Sequence, residues 1–375
     1  MKIGKLYFEK NLLICLLIFC GISFFSIYSA TKLLSSTYEN LIWKQALWCL
    51  LGFISIVIIV WIGNKKIVEH SYFFYSIGII SLIGLLLFAP SINDAKCWYF
   101  IPGIGGIQPS EFMKIILILV LANFIDQFHK KYPYPTLKQE FIFLCKVGLI
   151  ILIPSILTFL QPDTGVVLIY LLITFTMLFI SGIRLRWFMI IGSVIAIGLS
   201  TLLIYYFFFQ ESFIDLFGNS FFLRIDRLLN WSNSSGYQLE NGRTAIGSAG
   251  LIGFGFGNTP IYFPEPQTDF IFAVFSNNTG FIGSLFLILF LIYFDIKLIK
   301  IACKTKKLLN KYIISGMIGM LLYQQIQNIG MTIGILPITG ITLPFISYGG
   351  SSLLSYFLMI GIVFNIVKEN NYQNK

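Results

Sequence analysis

The sequence predicts an all-α polytopic membrane protein of about ten transmembrane helices, with both termini cytoplasmic and a large extracellular loop between helices 7 and 8. Three observations lead there. Hydrophobic residues make up 57% of the 375 and charged residues 11%, against about 25% charged in soluble domains. The mean hydropathy is +0.84, and apolar runs of the length that crosses hydrocarbon recur along the chain. Lys and Arg cluster in alternate loops, the pattern of cytoplasmic loops.

The first apolar run, Asn11–Ala30, follows a segment with three lysines. It is similar to a signal peptide, but Tyr28 is too large for the −3 position of a cleavage site before Thr31, so a retained span is expected. Ala46–Gly63 and Tyr72–Ala89 are the next two spans, joined by a short loop at Asn64–Lys66. A Gly/Pro-rich connection, Pro90–Ser110, leads to Phe112–Asp126, which is short unless Glu111 and Lys114 are counted with it. Phe141–Leu160 and Val166–Ile180 flank the turn Gln161–Gly165, and Phe188–Phe209 is the seventh span. Residues 210–269 then leave hydrocarbon, and Phe270–Phe294, Tyr312–Met331 and Ser351–Val367 complete the set. No repeat or low-complexity linker divides the chain, so residues 1–375 read as one domain containing the 210–269 loop.

Of the 26 Lys and Arg, only Lys32, Lys44, Lys96, Lys114, Arg224, Arg227 and Arg243 fall opposite the termini, with Lys146 inside the fifth span as the one clear intraspan charge. That bias makes the termini cytoplasmic and explains the net charge of +10 without nucleic acid. Ten of the sixteen acids then lie outside: Glu39, Asp94, Glu111, Asp163, Glu211, Asp215, Asp226, Glu240, Glu265 and Asp269. Function is expected on the outer face. The six cysteines form no CxxC pair and the two histidines flank basic loops, so neither a disulfide framework nor a zinc or His-based centre is indicated.

Several outer residues invite a chemical reading beside a structural one. Glu111 and Lys114 are spaced i, i+3 at a helix start, where they pair on one face, and Pro109–Ser110 marks that start. Lys96 beside Trp98 suits an interfacial anchor. Asp163 suits the cap of the helix that follows it. The glycines of Gly247–Asn258 lack the strand and the Lys-Ser/Thr of a nucleotide loop and suit close backbone packing instead. Asp269 sits where a polar loop meets an apolar run, and a carboxylate there is costly without a partner or a task. Thr268 or Asp269 as the N-cap of the next helix is the plainer reading. Gly334–Ser352 has the glycines and prolines of irregular backbone that lines a cavity.

At these positions the chain resembles the SEDS family, the RodA/FtsW/SpoVE group of peptidoglycan polymerases. The resemblance runs through AKCW, IQPSEFMK, QPDTG, GYQ, AIGSAGLIG, PEPQTDFIFA and NIGMTIGILPITGITLPFISYGGSS, in the family's order over most of the chain. It implies an inverting glycosyl transfer that joins lipid II units, undecaprenyl-diphosphate-linked disaccharide peptides, on the outer face of the bacterial cytoplasmic membrane. It also implies Asp269 as the catalytic carboxylate, with Lys96, Glu111, Lys114 and Arg243 at the substrate. Lys96, Lys114 and Arg243, or else a divalent cation (Mg or Mn), would stabilise the diphosphate, and the resemblance implies a class B penicillin-binding protein as the transpeptidase partner. The chain departs from the family at Cys97, usually Arg, at Asn277–Asn278, often Glu-Glu, at LENGR after GYQ, and in a shorter loop before PEPQTDF. QPD in place of EPD leans towards a RodA-like member.

A glycosidase needs two carboxylates because its leaving alcohol must be protonated, whereas a diphosphate leaves as an anion, so one base suffices. The rival reading is a flippase of lipid-linked precursor, which would carry ionisable groups at the membrane midplane and broken helices in paired halves. A third is a non-catalytic scaffold of a wall-synthesis complex, which suits Asn277–Asn278 but not the retained TDF.

Overall fold

Backbone in hydrocarbon must pair its own N–H and C=O groups, so apolar runs of this length become helices. The computed structural model describes residues 2–3, 6–34, 40–90, 96–101, 105–229 and 236–373. Glu39, Asp94 and the side chains of Arg224 and Arg227 lie outside the described residues.

A hairpin of β1 (Lys2–Ile3) and β2 (Leu6–Tyr7) precedes α1 (Lys10–Thr31). Then come α2 (Leu41–Ile62), α3 (Asn64–Glu69) and α4 (Ser71–Phe88), and a second antiparallel hairpin of β3 (Tyr99–Ile101) and β4 (Gly105–Ile107). α5 (Pro109–Lys131), α6 (Leu137–Leu160), α7 (Thr164–Ile180) and α8 (Leu185–Phe208) form the middle of the chain. α9 (Gln210–Phe217), α10 (Asn219–Leu229) and α11 (Tyr237–Ser248) are followed by α12 (Ile271–Lys304), α13 (Leu308–Thr332) and α14 (Gly350–Gln373).

Eight of these, α1, α2, α4, α5, α6, α8, α12 and α14, are long and apolar enough to cross a membrane. α7 has 17 residues. α13 has 25, but Gln324, Gln325, Gln327 and Asn328 interrupt its apolar run, all four buried. Both pack within the bundle, α13 against α5, α7 and α12. α5, α13 and α14 form the interior, with α2 against α14 and α1 against α12. α8 buries only Tyr206, whose hydroxyl donates to Asp226 at 2.9 Å.

Three boundaries differ from the sequence reading. Asn64–Lys66 is no loop but the first turn of α3. The 210–269 stretch carries α9, α10 and α11, because its polar residues alternate with Phe, Leu and Ile that give each helix an apolar face. α12 runs beyond Phe294 and takes Asp295 into the interior, where Gln325 donates to it at 3.3 Å. Lys146 is therefore not the one intraspan charge.

α12 is interrupted at Gly280, whose φ of 66° and ψ of −163° are not helical. The Gly-rich segment after α11 closes on this break. Phe254 and Gly255 N–H donate to the carbonyls of Asn277 and Asn278 at 3.0 Å each, while Phe281 and Ile282 N–H donate to Gly250 and Leu251. A Cβ on Gly253, which has a φ of +76°, would stand 2.4 Å from the Asn278 carbonyl. Close backbone packing is what these glycines provide. Gly253→Ala is expected to destabilise the chain by at least about 1–3 kcal/mol for the left-handed backbone alone. Thermal unfolding in detergent checks this, and an unchanged midpoint would contradict it.

A candidate active site at one end of the bundle

Asp269 stands at the floor of a loop that hydrogen bonds hold from two sides. The Asn328 side chain on α13 donates to the Asp269 carbonyl at 2.8 Å and to the Ile341 carbonyl at 2.7 Å. Ser347 Oγ donates to the Thr268 carbonyl at 2.7 Å, and Tyr348 N–H donates to the Gln267 carbonyl at 2.8 Å. From the other side Gln238 and Asn241 of α11 donate to the carbonyls of Pro264 and Tyr262. GYQ and the α13–α14 loop thus grip the same segment.

The N-cap of α12 is Phe270, and no side chain caps it. Asp269 is therefore not a helix cap; its carboxylate faces a cavity, with Oδ2 3.6 Å from where Gly340 would carry a Cβ. Glu265, four residues earlier, has a φ of +52°, a conformation that costs a non-glycine residue about 1–3 kcal/mol. Its carbonyl accepts from Thr268 and Phe270 N–H, and its carboxylate accepts from Thr268 Oγ1 at 2.9 Å and Gln267 Nε2 at 3.0 Å. The strained residue thus carries a second carboxylate into the lining of the same cavity.

The cavity encloses about 330 Å³ and is lined by Glu111, Asp163, Glu265 and Asp269, with Trp98, Gln324, Thr339 and Tyr348 among its other walls. Gln324 Oε1 and Thr339 Oγ1 are buried without a partner in the protein, which leaves them for a polar ligand. Burial first, then the charges of Glu265 and Asp163, raise the Asp269 carboxyl to about 7. Burial likewise raises Asp163 to about 6 against the lowering effect of the Val166 N–H. Both carboxyls hold protons in the fold that the unfolded chain releases near pH 4. They therefore reduce stability as pH rises from about 4 to 7.

Asp163 fills two roles. Its Oδ1 accepts from Val166 N–H at 3.2 Å as the cap of α7, and its Oδ2 accepts from Gln108 Nε2 at 2.8 Å within the cavity wall. The sequence reading saw the cap and missed the wall. Glu111 and Lys114 form a buried ion pair at 2.7 Å, with Lys114 fully buried and its ammonium 5.4 Å from the Tyr356 ring. Lys114 faces the bundle interior and only Glu111 reaches the cavity. Lys96 donates to the Leu86 carbonyl at 3.2 Å, at the end of α4. Arg243 is exposed on α11 and lies over Gly334, at the start of the loop that supplies Thr339 and Gly340. None of the three cations lines the cavity, so among the described lining residues the charge is carboxylate alone. Cys97 points its thiol at the Gln161 carbonyl, 2.9 Å away, and burial pushes it up to about 12.

A family model described as "Cell cycle protein", FTSW_RODA_SPOVE, matches residues 9–372. The chain belongs to the FtsW/RodA/SpoVE family. Among its relatives, a probable peptidoglycan glycosyltransferase FtsW of Wigglesworthia glossinidia brevipalpis is 34% identical, covering 99% of this chain and 97% of the relative. Peptidoglycan glycosyltransferase RodA of Treponema pallidum is 28% identical over 96% and 97%. A solved structure described as the structural coordination of polymerization and crosslinking by a peptidoglycan synthase complex superposes with a TM-score of 0.78 at 23% identity, over 97% of this chain and 98% of the other. Family membership makes this a bacterial multi-pass membrane protein. Of its departures within the family, Asn277 and Asn278 have a structural task here: Asn277 donates to the Ala245 carbonyl at 2.6 Å, and Asn278 to Asn258 and Thr259.

Asn328→Ala would strand two carbonyls, at about 1–3 kcal/mol for each one left buried and unpaired. A thermal unfolding midpoint several degrees lower is expected, and Asn328→Asp, which cannot donate, should not restore it. A midpoint unmoved in both variants would contradict the clamp.

Proposed function

We propose that the chain is a peptidoglycan glycosyltransferase that polymerises lipid II on the outer face of the cytoplasmic membrane. The observation that carries the reading is the Asp269 carboxylate, uncapped and raised to about 7 in an acid-lined cavity. A base poised near the working pH is half deprotonated there and still basic enough to take a proton. Asp269 accepts the proton of the attacking sugar hydroxyl as that oxygen bonds to the anomeric carbon of the second lipid II. The bond from that carbon to the diphosphate breaks on the opposite face, so configuration inverts. Burial and, after it, the charges of Glu265 and Asp163 set the basicity of Asp269, and Lys114 keeps Glu111 in place.

The diphosphate needs positive charge as it leaves. Arg243 over the α13–α14 loop and Lys96 at the end of α4 are the exposed and half-buried candidates, and Lys96 would have to turn from the Leu86 carbonyl. A divalent cation fits the oxygen donors of the cavity, although no described group of three or more His, Cys, Asp or Glu is arranged to hold one. Mg or Mn would therefore rest on Glu265, a carboxylate other than the base, and on the substrate phosphates, supplying charge at the leaving group. A transpeptidase of the class B penicillin-binding type is the proposed partner, in keeping with the synthase complex that the fold matches.

Asp295 supplies the flippase reading with one buried intraspan acid. It does not line the cavity of Asp269. Purified protein in liposomes with lipid II is expected to form glycan polymer, and Asp269→Asn to form none at normal expression. Lipid II crossing the bilayer without polymer in either sample would make the chain a transporter instead. Cys97→Arg returns a cation to the wall near Asp163 and should leave activity intact or raise it; a dead variant would mean that the site is rebuilt here.

A further inference from the structure

At the end of the bundle opposite Asp269, α1, α12 and α14 enclose a second cavity of about 570 Å³. One wall is Lys297, Lys300 and Lys304, spaced i, i+3 and i+7 on a single face of α12. Ile301 beside the lysines on α12 and Val367 across from them on α14 are its apolar members, next to Asn11, Asn370 and Asn371. The one acid in the wall is Glu9, and both its oxygens are engaged: Oε2 accepts from Leu12 N–H at 2.6 Å, and Oε1 lies 3.6 Å from Lys297. Lys300 and Lys304 have no carboxylate within 4.0 Å among the described residues. Three ammonium groups therefore share one concave space against one carboxylate.

Orientation in the membrane requires lysines near this end, and exposed positions such as Lys306 in a loop and Lys138 at the start of α6 meet that need. It does not require three of them to converge on one cavity, where Ile301 and Val367 add apolar surface. Beside the cavity, α12 presents exposed Ile292, Ile296 and Ile299, and α1 presents Ile14 and Leu17. These surfaces face acyl chains.

We propose that this cavity binds an acidic phospholipid, its phosphate on Lys300 and Lys304 and its acyl chains along the apolar faces of α1 and α12. Basic pockets between transmembrane helices take phosphate headgroups in this way. Asn11 and Asn370 would meet the headgroup hydroxyls, although Asn370 already donates to Thr305 at 2.8 Å. The inference rests on the membrane fold and not on the proposed chemistry.

The test uses the full chain in neutral detergent, titrated with dioleoyl phosphatidylglycerol, with phosphatidylcholine or with glycerol phosphate, and read by native mass spectrometry and thermal unfolding. Phosphatidylglycerol should bind and raise the unfolding midpoint, while phosphatidylcholine should do neither. Lys300→Gln with Lys304→Gln should weaken phosphatidylglycerol binding by about tenfold or more. Lys138→Gln with Lys306→Gln, which removes the same charge elsewhere, should leave it within about twofold. Equal losses in the two double variants, or equal binding of phosphatidylcholine, would overturn the proposal. Glycerol phosphate binding as tightly as the lipid would make this a site for soluble phosphate and overturn it too.

Discussion

The amide of Asn328 joins two carbonyls that no helix or sheet could pair, that of Asp269 ahead of α12 and that of Ile341 in the loop before α14. Everything at the site depends on this junction. A buried carbonyl without a donor costs about 1–3 kcal/mol, so irregular backbone can enter the bundle only where side chains complete it. The Gln and Asn residues that spoil the apolarity of α13 are the donors that permit it: Gln327 serves the Pro337 carbonyl and Asn328 the two at the junction. A helix poor as a membrane span is good as a scaffold.

With that segment fixed, the remaining electrostatics follow from charge and burial. Four carboxylates share one cavity, and the nearest fully buried cation, Lys114, is committed to Glu111 and the Tyr356 ring. Burial disfavours the charged form and neighbouring carboxylates add to it, which is why Asp269 and Asp163 rise while the chain stays folded. The left-handed Glu265 is part of the same arrangement, its carboxylate in the lining with Asp269. Strain and raised basicity fall on one short loop.

Much of this was legible in the sequence. The long helices followed from apolar runs, α5 began at Pro109 as its start signal implied, and Asp269 stood out as an acid at the edge of hydrocarbon. The family motifs supplied its role. Less legible were contacts between distant segments. Asp163 gave every sign of a cap and is one, but its second oxygen meets Gln108 across 55 positions. Spacing paired Lys114 with Glu111 correctly yet could not say that the lysine turns inward. Resemblance set Lys96 and Arg243 at the substrate, and in the fold neither lines the cavity of Asp269. α9 and α10 were hidden because short amphipathic helices average out to polar composition over about sixty residues.

The central claim is that Asp269 works as a base whose proton affinity burial and then its neighbours raise, with Glu265 the larger of the two charge effects. The rate of polymerisation against pH, for the native chain and for Glu265→Gln, tests it most directly. A base acts when deprotonated, so the native rate should climb with pH through a midpoint near 7 and level off above it. Neutralising Glu265 should move that limb to lower pH. A limb that stays in place in Glu265→Gln, or a rate flat across about pH 5 to 9, would contradict the account.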